Sequence, residues 1–188
     1  EARIFVPGEE PAVVDVDGVR VGLAICEDIW REGGTVEQLA EHGVDLLLVI
    51  NGSPYEEGKT HLRLESAAAR AAQVRAPLAY VNMVGGQDDL VFDGGSFVLD
   101  SDGTVLASAP QFVEHLLVWD ATTTGAQQPG PQVQALDADE EVYRALVTGL
   151  TGYVRKNGFR SVVLGLSGGI DSALVAAIAA DAIGGENV

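Results

Sequence analysis

An α/β chain is expected from three features of these 188 residues. Apolar runs of strand length alternate with segments of helical periodicity. Two of the runs break abruptly onto polar residues, at Cys26-Glu27-Asp28 and at Ser167-Gly168-Gly169. Between those two points lies a Thr-, Gln-, Pro- and Gly-rich stretch without periodicity, the signature of a linker between two units.

Each element carries its own local signal. Val14, Val16, Val19 and Val21 alternate with Asp15, Asp17 and Arg20, and Asp17-Gly18 is a two-residue hairpin turn. The second strand becomes continuously apolar through Gly22-Leu23-Ala24-Ile25 and stops at Cys26. GVDLLLVINGSPY reads as a strand followed by a loop. In THLRLESAAARAAQVRA, Leu62, Ala69, Ala72 and Ala76 share one side of a helix, leaving Arg63, Glu65 and Arg70 to solvent. PLAYVNMVG is a further short strand, and FDGGSFVLDSDGTVLASAP holds two strands joined through Asp102-Gly103. Ala121 to Glu141 is the linker, crossing in an ordered path. Asp137 or Asp139 then caps a helix with the face Val142, Leu146, Leu150, Tyr153 and Val154, and Gly158 ends it. Val162 to Leu166 predicts a strand, Ser167 to Ser172 a tight turn, and Ala173 to Ile183 a helix.

Chemistry concentrates at the two breaks. Cys26 is the only cysteine, so no internal disulfide forms, and the composition suits a reducing, cytoplasmic compartment. A lone cysteine after an apolar run is either a small buried residue or a nucleophile held at a strand end beside a pocket. The sudden polarity of Glu27 and Asp28 favours the nucleophile. Ser53 and Tyr55 read equally as a plain Ser-Pro turn or as part of a substrate loop, and Lys59 taken alone reads as a surface residue.

At the other break, a strand–glycine turn–helix arrangement presents unpaired N–H groups at the positive end of a helix, a cradle for an anion. Gly168 and Gly169 let the backbone approach that anion closely. The plain alternative is a βα turn capped by Ser167. A hydroxyl on each side of the glycine pair, with Asp171 between, favours the cradle. The lysine of a GxxxxGKS/T loop is missing, so this is not a Walker-type site.

Composition excludes some classes. A formal charge of −17 argues against nucleic-acid binding through a basic face and for solubility. No uninterrupted apolar run reaches membrane-spanning length, and no signal peptide is visible. His42, His61 and His115 are scattered, with no metal-type Cys/His cluster.

SGGIDS resembles the signature of the PP-loop ATP pyrophosphatases, and AICEDIW resembles the nucleophile segment of the nitrilase-like carbon–nitrogen hydrolases. With FVPG (Phe5 to Gly8), NGSPY (Asn51 to Tyr55), GGQDDLVFDGGSF (Gly85 to Phe97) and LGLSGGIDSAL (Leu164 to Leu174), these strings together resemble the glutamine-dependent NAD synthetases over nearly the whole chain. The resemblance implies the C-terminal part of a nitrilase-like α-β-β-α sandwich at 1–122, a linker at 123–138, and the start of a Rossmann-like PP-loop α/β domain at 139–188. It implies Cys26 as the nucleophile that forms a glutamyl thioester, with Glu27, Ser53 and Lys59 holding glutamine. Ser167, Gly168, Gly169, Asp171 and Ser172 would bind ATP, with Asp171 serving Mg²⁺.

The reaction implied is the ATP-driven amidation of deamido-NAD to NAD, with ammonia passed internally from the thiol site to an adenylated carboxylate, in a cytoplasmic homo-oligomer. The family's catalytic glutamate and lysine fall outside these residues on this reading. The chain is therefore expected to be an internal fragment, inactive alone and prone to aggregate. Two other readings stay open: a related amidoligase with another acyl acceptor, and a non-catalytic ATP-binding homologue.

Overall fold

The computed structural model describes residues 4, 6, 8, 10–121 and 126–188. Phe5 and Pro7 of the FVPG string, and 122–125 of the linker, lie outside the described residues.

The hairpin forms as its sequence dictates. Strands β1 (Ala12–Val16) and β2 (Val19–Ile25) pair antiparallel, and Asp17 and Gly18 take φ of 52° and 83°, the left-handed pair that a two-residue turn requires. Strands β3 (Leu46–Asn51) and β4 (Leu78–Asn82) continue the sheet in parallel with β2. Strands β7 (Phe97–Leu99) and β8 (Val105–Ser108) close it antiparallel, in the order β1-β2-β3-β4-β7-β8. The parallel steps are bridged by helices α1 (Thr35–His42) and α2 (Lys59–Val74), as parallel pairing demands.

Both helices cover one face. Val36 and Leu39 from α1, and Ala67, Ala71 and Val74 from α2, pack on Ala24, Leu47, Val49, Leu78, Tyr80, Phe97 and Leu99. The other face carries the exposed Ile25, Ile50 and Val81 in one row near the carboxyl ends of β2, β3 and β4. Near β7 and β8 it is partly covered, where Leu117 and Trp119 lie against Val98, Leu106 and Ala107.

The face of α2 corrects the sequence expectation. Leu62 is 55% exposed, and Ala72 is also exposed, while Arg63 is only 3% exposed. Alanine is too small to declare a face by itself, and the buried cation is matched by an acid thirty residues away, Asp93, which helical spacing does not reveal.

A second, two-stranded sheet, β5 (Val84–Gln87) with β6 (Leu90–Asp93), stands beyond β4. Helix α3 (Ala138–Lys156) lies against it, capped by the Asp137 side chain, which accepts from the N–H of Glu140; Gly158 follows the helix at φ 74°. Contact here is backbone to backbone. A Cβ on Gly152 would stand 2.7 Å from Gly86 Cα, and one on Gly86 would stand 2.9 Å from the Gly149 carbonyl oxygen. The expected face of α3 is only partly buried: Val154 is covered, while Val142, Leu146, Leu150 and Tyr153 border an open groove.

Before α3 the chain runs along β8. Gly130 N–H donates to the Leu106 carbonyl at 2.9 Å, Ser108 N–H to the Pro131 carbonyl at 2.9 Å, and Val133 N–H to the Ser108 hydroxyl at 3.0 Å. Helix α4 (Ile170–Ile183) packs on α3 and begins three residues before the expected Ala173.

The strand expected at Val162 to Leu166 does not form. Val163 is 97% exposed, and of the segment's backbone N–H groups only that of Val162 meets a partner, the Asn187 carbonyl. A strand exists through its ladder, and among the described residues no extended neighbour flanks this segment. No helix among the described residues is long and apolar enough to cross a membrane.

Candidate active site

Three parallel strands end at one edge of the sheet, and the site is built from the residues just past their ends. Loops leaving the carboxyl ends of parallel strands converge there, which makes that edge the usual place for ligands in α/β sheets.

Cys26 comes directly after β2. It opens a short 3-10 turn, Cys26–Ile29, with its own φ at 43°. A non-glycine residue in this left-handed region carries strain of order 1–3 kcal/mol, so its neighbours must hold it there. Asp28 does so. One carboxylate oxygen accepts the Ile25 N–H at 2.7 Å, and the other accepts the Thr35 hydroxyl at 3.4 Å. The turn is closed further by Trp30 N–H donating to the Glu27 carbonyl at 3.1 Å. The strand therefore stops at Ile25, and Cys26 borders a cavity just past its end.

That cavity, about 290 Å³, is lined by Cys26, Glu27, Trp30, Ser53, Pro54 and Lys59. All four residues singled out for a small polar substrate thus meet in one place. Ser53 comes from the loop after β3 and Lys59 from the first turn of α2. Lys59 Nζ is 3.3 Å from the Glu56 carboxylate, with its side chain 21% exposed.

Sequence reading missed the groups that hold Ser53 in place. Its N–H donates to Asn82 Oδ1 at 2.9 Å, and its carbonyl accepts from Asn82 Nδ2 at 3.3 Å and from Arg63 Nη2 at 3.0 Å. Arg63 also donates to the Ser53 hydroxyl at 3.3 Å and to the Pro54 carbonyl at 3.1 Å. The guanidinium is completed by Asp93 Oδ2, 2.7 Å from Nη1. Asn82 ends β4 and is itself fixed, its N–H donating to Ser96 Oγ at 3.0 Å and its Nδ2 to the Gly94 carbonyl at 3.2 Å. Below the loop lies Tyr80, fully buried and stacked on Phe97 at 4.8 Å; burial pushes its hydroxyl's pKa up, against the pull of Ser53 and Arg63. A signal was present in GGQDDLVFDGGSF, which contains Asp93 and Ser96, but no local pattern links those residues to Arg63.

The second predicted cluster lies apart, at the start of α4. Ser167 Oγ and Ser172 Oγ are 3.0 Å apart, and the Ser167 N–H donates to Ser172 Oγ at 3.2 Å. Gly169, not Ser167, is the residue at the helix cap, and no side chain caps the helix. Gly168 has φ 85° with no atom within 4 Å of where a Cβ would stand, and Asp171 is exposed in the first helical turn. Together these residues form an open loop with two hydroxyls and unclaimed helical N–H groups, which suits an anion with several oxygens.

Known proteins are similar to this chain in sequence and in fold. A family model described as carbon-nitrogen hydrolase matches residues 1–128, and one described as NAD synthase matches residues 142–188. The chain is 46% identical over 190 residues to a glutamine-dependent NAD(+) synthetase of Acinetobacter baylyi, and 50% identical over 186 residues to one of Xanthomonas campestris pv. campestris. Those alignments cover 100% and 97% of this chain, but 35% and 33% of the relatives. A solved glutamine-dependent NAD+ synthetase from Acinetobacter baumannii, in complex with adenosine diphosphate, superposes with a TM-score of 0.89 at 44% identity, over 100% of this chain and 36% of that one. The chain thus spans about a third of the length of the curated relatives it matches.

Proposed function

The chain belongs to the carbon–nitrogen hydrolase family, and from that premise we propose that it supplies the thiol site and the phosphate-binding loop of a glutamine-dependent NAD synthetase, a carbon–nitrogen ligase that amidates deamido-NAD to NAD. One observation carries the reading: Cys26, Glu27, Ser53 and Lys59 line a single cavity of a size for a small amide.

In this reading Cys26 Sγ attacks the carboxamide carbon of glutamine. The C–N bond breaks, the nitrogen takes up a proton and leaves as ammonia, and water then splits the thioester to release glutamate and restore the thiol. Glu27 receives the α-ammonium of glutamine, and Ser53 and Lys59 receive its α-carboxylate, Lys59 exchanging Glu56 for the substrate. Arg63 and Asn82 keep Ser53 in position and touch no substrate.

Ser167, Gly168, Gly169, Asp171 and Ser172 form the nucleotide loop, in a unit at 139–188 that comes after a hydrolase unit at 1–122 and a linker at 123–138. Their fit to a polyphosphate rests on the open space at Gly168 and the two converging hydroxyls. ATP, when bound, supplies the adenylyl group that turns the nicotinate carboxylate into an acyl donor for ammonia. Among the described residues no three acidic, histidine or cysteine side chains gather as a metal cage. Asp171, exposed in the first turn of α4, would be the residue that helps to hold Mg²⁺, an ion that would neutralise the charge of the bound phosphates. The working enzyme is a cytoplasmic homo-oligomer that binds neither nucleic acid nor membrane.

The test is NAD formation by the whole protein from deamido-NAD, ATP and Mg²⁺, with either glutamine or ammonium as donor. Product from both, with only the glutamine reaction lost in Cys26→Ala, is the expected result. No product from either donor, with ATP still bound, would point instead to another acyl acceptor.

A further inference from the structure

The thiol cavity and the α3 groove share a wall. Ser53 and Pro54 face Cys26, and the next residue, Tyr55, lines the groove of about 530 Å³ between the β5–β6 hairpin and α3. A line of hydrogen bonds runs beside this wall. Arg63 grips the carbonyls of Ser53 and Pro54 and pairs with Asp93. Gln111 Nε2 then donates to Asp93 Oδ2 at 3.4 Å and to Glu141 Oε1 at 2.6 Å. Glu141 lies in the first turn of α3, the helix that leads into the NAD synthase match.

Gln111 is itself anchored. It bridges to Gly94, and the next residue, Phe112, donates its N–H to the Asp93 carbonyl at 2.8 Å and presents its ring to Tyr55 at 5.6 Å. A primary amide fits this post, because one NH₂ carries two protons for two carboxylates and adds no charge of its own.

We propose that Gln111 is a positioning residue that ties Glu141 on α3 to the Asp93–Arg63 pair, so that the seat of α3 sets the Ser53–Pro54 wall of the Cys26 cavity. The proposal rests on the reading of Cys26 as the glutamine nucleophile. It assigns to two residues outside the cavity an effect, exerted through Asp93 and Arg63, on how well glutamine fits.

The test is alkylation of Cys26 in the whole protein by a diazoketone analogue of glutamine, with iodoacetamide as a reagent that needs no substrate pocket. Gln111→Met keeps the chain length and removes the donor; Glu141→Ala removes the other end of the bond from a partly exposed helical position. Each raises the analogue concentration for half-maximal labelling about tenfold, the equivalent of one charge-assisted hydrogen bond, and leaves iodoacetamide labelling unchanged. The double variant is no worse than the worse single, because both remove the same link. Unchanged analogue labelling in both singles, additive effects, or an equal loss with both reagents would overturn the proposal. Wild-type protein labelled by iodoacetamide but not by the analogue would overturn the glutamine reading itself, and this proposal with it.

Discussion

Arg63 on α2 and Asp93 on β6 form an ion pair of 2.7 Å, with side chains 3% and 1% exposed. Thirty residues of chain separate them, yet they share the task of fixing the loop that faces Cys26. A buried pair of this kind adds little net stability over an apolar pair, but losing one member leaves an uncompensated charge. Arg63→Met and Asp93→Leu are each expected to lower unfolding stability by about 3–5 kcal/mol, and the double variant by less than either single. Urea titration followed by circular dichroism measures all three.

The glycine contact between α3 and the hairpin has an unusual sign. By helix propensity alone, Gly152→Ala should stabilise α3 by about 1 kcal/mol. The new methyl would meet Gly86 backbone at 2.7 Å, and no side chain there can rotate aside. The expected outcome is a net loss of about 1–3 kcal/mol, as for other overpacked contacts. A lowered thermal midpoint, with faster proteolysis of the linker as α3 lifts from the hairpin, would bear this out.

Acid sensitivity has one assignable local source. The Thr104 N–H, 2.8 Å from Asp102 Oδ1 in the turn between β7 and β8, holds that carboxyl below the usual carboxylate range. A lowered folded pKa contributes stability above the unfolded value of about 3.9, and that contribution disappears as pH falls through the folded value. Asp102→Asn is therefore expected to be less stable than wild type at neutral pH, with the difference closing in acid. Chemical denaturation at a series of pH values reads this directly.

Local signals were enough for much of this molecule. Asp17-Gly18 and the polarity change at Cys26 place the first hairpin and the thiol, and of the two aspartates offered as caps for α3 it is Asp137 that takes the post. The features that escaped sequence reading depend on distant partners. Arg63 looked solvated because its acid lies on another element, and Val162 to Leu166 looked like a strand because apolar patterning cannot show whether a neighbour is there to pair. The β5–β6 hairpin escaped sequence reading because Gly85-Gly86-Gln87-Asp88-Asp89 carries no alternation of apolar and polar residues. Gly86 is there for α3, whose backbone passes too close for any side chain. Glu27, Ser53 and Lys59 were drawn from a family resemblance, and a shared cavity with Cys26 is the physical support they gain.

The central claim is that Cys26 becomes covalently bound to substrate. The most direct measurement is mass spectrometry of the whole protein, acid-quenched during turnover with glutamine. A glutamyl adduct on the peptide containing Cys26, absent from Cys26→Ala, is the predicted result. NAD made from glutamine at the wild-type rate by Cys26→Ala, with no adduct in either protein, would contradict the account.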